Sequence, residues 1–270
     1  VRTGNPEHCK NVLKLRRHYL NVETDSPRTV AATILALGQA GDSMGSLNMY
    51  RGYVSSELKG HAYEYGAIGP LVTNAAIRVA MRGKRYLKCW ELFDEMRTRL
   101  CLPDEHSFTL MINVCAMEGR PEKAMNLMEQ MHENGLQVPN EAGNAVLKAF
   151  ARSHPMPSHD ILGGTRSNED VLTSTHQALQ RCREFGLQPD RSTYNHLMLA
   201  HSRMGDPEGT LTLLQDMERA GHEPDEYACT LYLSSFVHVQ RIRKSERRRG
   251  RRAKRRQARL ARHNALFGDD

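Results

Sequence analysis

The stretch ELFDEMRTRLCLPDEHSFTLMINVCAMEGRPEKAMNLMEQM, Glu91–Met131, begins and ends alike, with ELFDEM and NLMEQM. Between these ends lies LPDEHSFTLMI, a proline break followed by a new apolar pattern. Working outward, LCLPD closes at Asp104, GLQVPN at Asn140, GLQPD at Asp190 and GHEPD at Asp225. Each follows an apolar run carrying Met96, Met131, Cys182 or Met217, spaced 35, 51 and 35. Past each break, Asn74, Thr109, Asn144, Asn195 and Thr230 recur at 35, 35, 51 and 35. A fixed period of this size marks a repeat array.

Each unit reads as two helices. Tyr86, Trp90, Phe93, Met96 and Leu100 recur at steps of three or four residues, the stripe of an amphipathic helix. STYNHLMLAHSRMG opens with Ser192 and Thr193 as candidate caps and stops at Gly205. Pro121 and Pro207 then open the partner helices, where a missing N–H is harmless. Gly135, Gly186 and Gly221 suit a left-handed terminating residue, and the proline after each forbids continuation. A helix pair cannot bury both its apolar faces alone. The expected fold is therefore all-α, an α-solenoid of stacked helix-turn-helix units with a concave and a convex side.

The chain has 270 residues and a net charge of +7, but the charge is unevenly placed. Residues 241–270 hold 13 of the 38 Lys and Arg and only 3 of the 31 acids. The rest of the chain is mildly acidic, so one basic arm seeks a polyanion. No apolar run approaches the roughly 20 residues of a membrane span, and a soluble chain is expected. The six cysteines, at positions 9, 89, 101, 115, 182 and 229, form no C-x-x-C pair and read as buried free thiols in a reducing compartment. There is no phosphate-binding glycine loop, nucleophile elbow or metal motif, so an enzyme, a cofactor, a metal and a small-molecule substrate are all unexpected.

The units resemble the pentatricopeptide repeat family. RSTYNHLMLAHSRMGDPEGTLTLLQDMERAGHEPD, residues 191–225, is the best match. Residues 70–104 and 105–140 match well, the latter one residue long. Residues 141–190 match at both ends around an insertion, 27–60 match through AGD and its flanks, and 226–240 resemble a first helix alone. The resemblance divides the chain into residues 1–26 with a helix over Glu7–Leu20, an array of about five repeats over 27–240, and a tail, 241–270.

The resemblance implies single-stranded RNA on the concave side, read at about one base per repeat by its fifth and last residues. The pairs would be Asn74 with Asp104, Thr109 with Asn140, Asn144 with Asp190 across the insertion, and Asn195 with Asp225. Asn with Asp would prefer uracil, and Thr with Asn adenine. The second positions, usually a branched apolar wedge between bases, hold Leu71, His106, Glu141, Ser192 and Tyr227. Glu141 repels a phosphate backbone and Ser192 is too small to sandwich a base. Both argue against strong readout by the groove.

Two segments stand apart. Ser153–Asp170, SHPMPSHDILGGTRSNED, reads as an exposed loop, a partner contact or a disordered segment; His154 and His159 lack further ligands at metal spacing. The tail carries Arg241, Arg243, Lys244, Arg247, Arg248, Arg249, Arg251, Arg252, Lys254, Arg255, Arg256, Arg259 and Arg262 against the single acid Glu246 before Asn264. With no aromatic residue before Phe267, it neutralises phosphates rather than stacking on bases. A solvated tail and a nuclear import signal are its other readings.

The family is mostly mitochondrial and plastid, which implies a mitochondrial matrix location, with the plastid as alternative. Two functions are compatible. One is a structural subunit of an organellar ribosome, more readily the small one, with rRNA and ribosomal proteins as partners. The other is a free factor that stabilises, processes or activates transcripts. An assembly factor is not separable from the first.

Overall fold

In a computed structural model the described residues are 26–60, 66, 68–153 and 168–240, with single positions 11, 244 and 257. The expected helix Glu7–Leu20, most of the insertion and nearly all of the tail lie outside them. The described residues are helical, without a strand among them. In order they are α1 (Pro27–Gln39), α2 (Ser43–Gly60), α3 (Pro70–Arg82), α4 (Tyr86–Glu95), α5 (Glu105–Glu118), α6 (Pro121–Glu133), α7 (Asn140–Arg152), α8 (Asn168–Glu184), α9 (Arg191–Met204), α10 (Pro207–Arg219) and α11, residues 226–240. Asn168–Asp170 thus open α8 rather than closing the loop.

The helices pair as hairpins, α1 with α2, α3 with α4, α5 with α6 and α9 with α10, while first helices stack, α1 on α3 and α3 on α5. This is the expected α-solenoid. Two compact units result, Val1–Ala149 with Arg181–Leu187, and Phe150–Gln180 with Gln188–Asp270.

Local chemistry sets the helix ends. Pro27, Pro70, Pro121 and Pro207 open their helices in the first turn, where no backbone N–H is needed. Asp104 caps α5 and Asp190 caps α9, each in a reciprocal capping box with Ser107 or Thr193. Asp190, not Ser192 or Thr193, is therefore the cap of α9. A carboxylate accepts a charge-assisted bond that a hydroxyl makes more weakly.

Second helices end on one repeated bond. The amides of Leu136, Leu187 and His222 donate to the carbonyls of Met131, Cys182 and Met217 at 3.2, 3.0 and 3.0 Å. The glycine between has φ of +73°, +97° and +81°, as the sequence suggested. The unit ending LCLPD has no glycine there. Cys101 N–H still reaches Met96 O at 3.0 Å, through a π-helical turn over Met96–Leu100.

In the first unit the core includes Phe93, Met96, Leu100, Met111, Ile112 and Met128, each at most 1% exposed. Phe93 meets Phe108 edge-to-face at 5.7 Å. In the second unit Met198, Met217, Ala228 and Leu231 form a cluster covered by Tyr194, Leu213 and Tyr232. Cys89, Cys101, Cys115 and Cys182 are buried as expected, and desolvation pushes their thiols up to about 12, 11, 12 and 12. Cys229 departs from the expectation and is exposed.

Candidate RNA interface on the first helices

The first helices share one register. Their caps are Gly69, Asp104, Pro139, Asp190 and Asp225, spaced 35, 35, 51 and 35. Pro139 enters this series because its carbonyl accepts from Ala142 and Gly143 N–H, which makes Asn140 the first helical residue of α7. The unit after Asp104 is therefore 35 residues long, not one residue longer. Asn140 is not the counterpart of Asp104 or Asp225. Pro139 holds that place and brings no polar side chain to pair with Thr109.

Asn74, Thr109, Asn144 and Asn195 each lie five residues past a cap and are buried, at 3%, 3%, 7% and 8% exposure. Asn74 Nδ2 donates to Asp104 Oδ1 at 3.1 Å, and Asn74 Oδ1 accepts from Ser107 Oγ at 2.8 Å. Asp104 Oδ1 also accepts from Ser107 N–H at 2.7 Å. Burial opposes the charge on Asp104, but the bonds from Ser107 and Asn74 outweigh it and hold the carboxyl below its ordinary value.

The pair in residues 191–225 is looser. Asn195 Nδ2 reaches Asp225 Oδ2 at 3.4 Å, and Asn195 Oδ1 is buried without a partner. The residue three past Asp225 is Ala228, which supplies its N–H to Asp225 Oδ1 at 2.8 Å but has no hydroxyl. Thr109 turns its hydroxyl back to Glu105 O at 2.8 Å, a bond within its own helix. Asn144 and Asp190 fall in different compact units. Asn144 is buried in the first turns of α7, and Asp190 serves α9 as its cap.

The second positions, Leu71, His106, Glu141, Ser192 and Tyr227, are all exposed. His106 Nε2 lies 2.6 Å from an Arg78 guanidinium nitrogen, tying α5 to α3. Summing charge over the array conceals how it is distributed. Arg28, Arg78, Arg82, Lys148, Arg152, Arg191 and Arg203 lie on first helices, against Glu105, Glu118, Glu141 and Glu226. The second helices carry most of the acids, among them Glu91, Asp94, Glu122, Glu129, Asp216 and Glu218. Burial and the neighbouring charge of Arg152 lower the Arg203 pKa. Sequence reading missed these cations, although Lys148, Arg152 and Arg203 stand nine or thirteen residues past a cap.

Of the tail cations only Lys244 is a described position, and it is exposed; the remainder lie outside the described residues. Among described residues no cluster of His, Cys, Asp and Glu is arranged to hold a metal ion, and no helix is long and apolar enough to cross a membrane.

Comparison with known proteins places these observations. A model described as "PPR repeat family" matches residues 71–117 and 189–238, and one described as "PPR repeat" matches 106–136. Small ribosomal subunit protein mL103 of Arabidopsis thaliana is 25% identical over 185 residues, which is 58% of this chain and 45% of that protein. The mitochondrial 15S rRNA processing factor ppr3 of Schizosaccharomyces japonicus is 35% identical over 86 residues, 30% of this chain and 13% of the other. The chain thus spans less than half the length of these relatives. Among solved structures, pentatricopeptide repeat protein PPR10 from maize superimposes with a TM-score of 0.60 at 18% identity, over 90% of this chain and 32% of the other. At that identity the likeness shows the fold.

Proposed function

Because the chain belongs to the pentatricopeptide repeat family, we propose that it is a non-enzymatic RNA-binding scaffold of an organellar ribosome. We place it in the mitochondrial matrix and favour the small subunit. In this reading the helical array docks proteins and RNA, and the segment Arg241–Arg262 grips rRNA phosphates. The observation that carries the reading is the state of Asn74. Both ends of its amide are taken up by Asp104 and Ser107, at 3% exposure, so a base edge would have to displace bonds already made. Pro139 removes a second pair from the base-reading set. What remains is a scaffold with basic first helices and a densely charged arm. The similarity to a small ribosomal subunit protein and to an rRNA processing factor supports an rRNA setting, the latter also fitting an assembly role.

One observation favours the second reading, a free organellar factor that binds single-stranded transcripts in the mitochondrion or the plastid. Asn195 keeps an unpartnered acceptor beside Asp225, which suits an N–H on a base edge.

Sedimentation of organelle lysate on sucrose gradients separates the two. The ribosomal reading expects the chain to travel with ribosomal particles at moderate salt. Deleting residues 241–270 should release it, and Asn195→Ala with Asp225→Ala should leave it bound. If about 8 phosphates are neutralised, the log–log salt slope of binding lies near −7. The ribosomal reading fails if the double variant abolishes RNA crosslinking while the tail deletion leaves it intact.

A further inference from the structure

His201 of α9 is a buried imidazole satisfied at one nitrogen only. Its Nδ1 lies 2.8 Å from Asp206 Oδ2. Asp206 Oδ1 accepts from Gly209 N–H at 2.9 Å, so the carboxylate is itself fixed at the start of α10. Burial opposes the charge on Asp206, but the bonds from Gly209 and His201 outweigh it and hold the carboxyl below its ordinary value. A carboxylate only accepts, so Nδ1 carries the hydrogen and Nε2 presents a lone pair. A Cβ at position 209 would collide with His201 Nδ1, so glycine there makes room for the ring. His201 is 9% exposed, and its Nε2 is buried with no hydrogen-bond partner. Leaving a buried acceptor unmet is costly.

The ring beside His201 is another imidazole. His176 of α8 lies with its centroid 5.4 Å away and its plane at 88°. Both residues belong to the same compact unit. His176 is exposed, and its Nδ1 donates to Leu172 O at 2.9 Å, which leaves its lone pair on Nε2 as well. Each ring thus commits Nδ1 to an oxygen and keeps Nε2 as a base. Metal-bound histidines are oriented in this way, by a carboxylate or a backbone carbonyl on the second nitrogen. A tetrahedral zinc ion about 2.0–2.1 Å from each nitrogen sets two imidazole centroids about 5 Å apart. The observed spacing is close to that. A water molecule would meet the His201 acceptor but gives no reason for a second imidazole with the same free nitrogen.

We propose that His201 and His176 bind a divalent zinc ion through their Nε2 atoms and so staple α8 to the α9–α10 hairpin. No three His, Cys, Asp or Glu side chains gather to hold an ion among the described residues. The protein therefore supplies a pair of ligands, and water supplies the others. Asp206 is a positioning residue, which fixes the tautomer and the direction of His201 without touching the ion. Imidazole also suits copper and nickel, and zinc is the ion to be probed. The proposal is independent of the RNA that the array binds and holds in either the ribosomal or the transcript-binding setting.

The test adds zinc chloride to the full chain. With 13 histidines a bulk titration is ambiguous, so the readout is carbethoxylation by diethyl pyrocarbonate, located residue by residue by mass spectrometry. Zinc at about ten times its Kd should slow modification of His176 about tenfold and leave exposed His132 unchanged. His201→Leu, of similar volume and checked for an unchanged helical spectrum, should abolish protection of His176. Asp206→Asn should weaken zinc binding by about tenfold. His176→Ala, a surface change, should remove the zinc-dependent rise in thermal midpoint seen in the native chain. The proposal is overturned if zinc leaves His176 reactive, or if protection survives in His201→Leu. Equal protection of His132 would mark an adventitious ion only and overturns it too, as does an equal midpoint shift in the native and His176→Ala chains.

Discussion

Ser107 holds the carbonyl oxygen of Asn74 at 2.8 Å, and the residue in the same place opposite Asn195 is Ala228, which leaves that carbonyl buried and unpartnered. The two amides share the fifth position of their helices and a carboxylate partner. A single hydroxyl separates a closed amide from one with a vacant acceptor. Whether a groove amide is available to a ligand therefore depends on the third residue of the following helix as well as on the pair itself.

Exchanging that hydroxyl should exchange the behaviour. Ser107→Ala strands Asn74 Oδ1 in a buried site and should cost about 1–3 kcal/mol in chemical denaturation. Ala228→Ser should stabilise by about 1 kcal/mol by giving Asn195 the missing donor. If Asn195 reads a base, Ala228→Ser should also weaken RNA binding, because its acceptor is then taken.

Acid should loosen the hairpin that Asp104 caps. Burial opposes ionisation there, and the bonds from Ser107 and Asn74 still depress the carboxyl below 3.8. A depressed folded pKa contributes stability that is fully present above the unfolded value. That stability is lost as pH falls through the folded value. Denaturation midpoints measured from pH 6 down to about pH 2.5 should fall more steeply for the native chain than for Asp104→Asn, the difference gathering below about pH 4. Parallel curves would mean that Asp104 does not carry the effect.

Gly221 should resist substitution for backbone reasons alone. Its φ is +81°, and a Cβ there would meet no atom within 4 Å. Gly221→Ala should therefore cost about 1–2 kcal/mol through left-handed strain, without a packing defect. Gly143 makes the opposite case. A Cβ there would come within 2.9 Å of Leu187 Cδ1, so Gly143→Ala acts by crowding. Gly143→Ala with Leu187→Ala should recover part of the loss, whereas no second-site truncation should rescue Gly221→Ala in thermal melts.

Some errors of sequence reading are as informative as its successes. Aligning polar residue types put Asn140 beside Asp104, yet the carbonyl of Pro139 starts α7. Which residue caps a helix depends on where the backbone leaves helical geometry, and a polar side chain one residue on can imitate the cap. Ser192 and Thr193 looked like caps for the same reason, while the Asp190 carboxylate took the role. Cys229 was expected to be buried like the other cysteines and is exposed, because a residue is buried only if a neighbour exists to cover it.

The amino-acid order alone determined the period, the paired helices, the prolines that open them and the glycines that close them. Each follows from interactions within a few residues along the chain. Only the tertiary structure decided which amides are satisfied and which apolar residues stay exposed. These depend on groups 30 residues apart brought into hydrogen-bond contact, as Asn74 and Asp104 are at 3.1 Å, and spacing along the chain carries no information about whether such a partner is supplied.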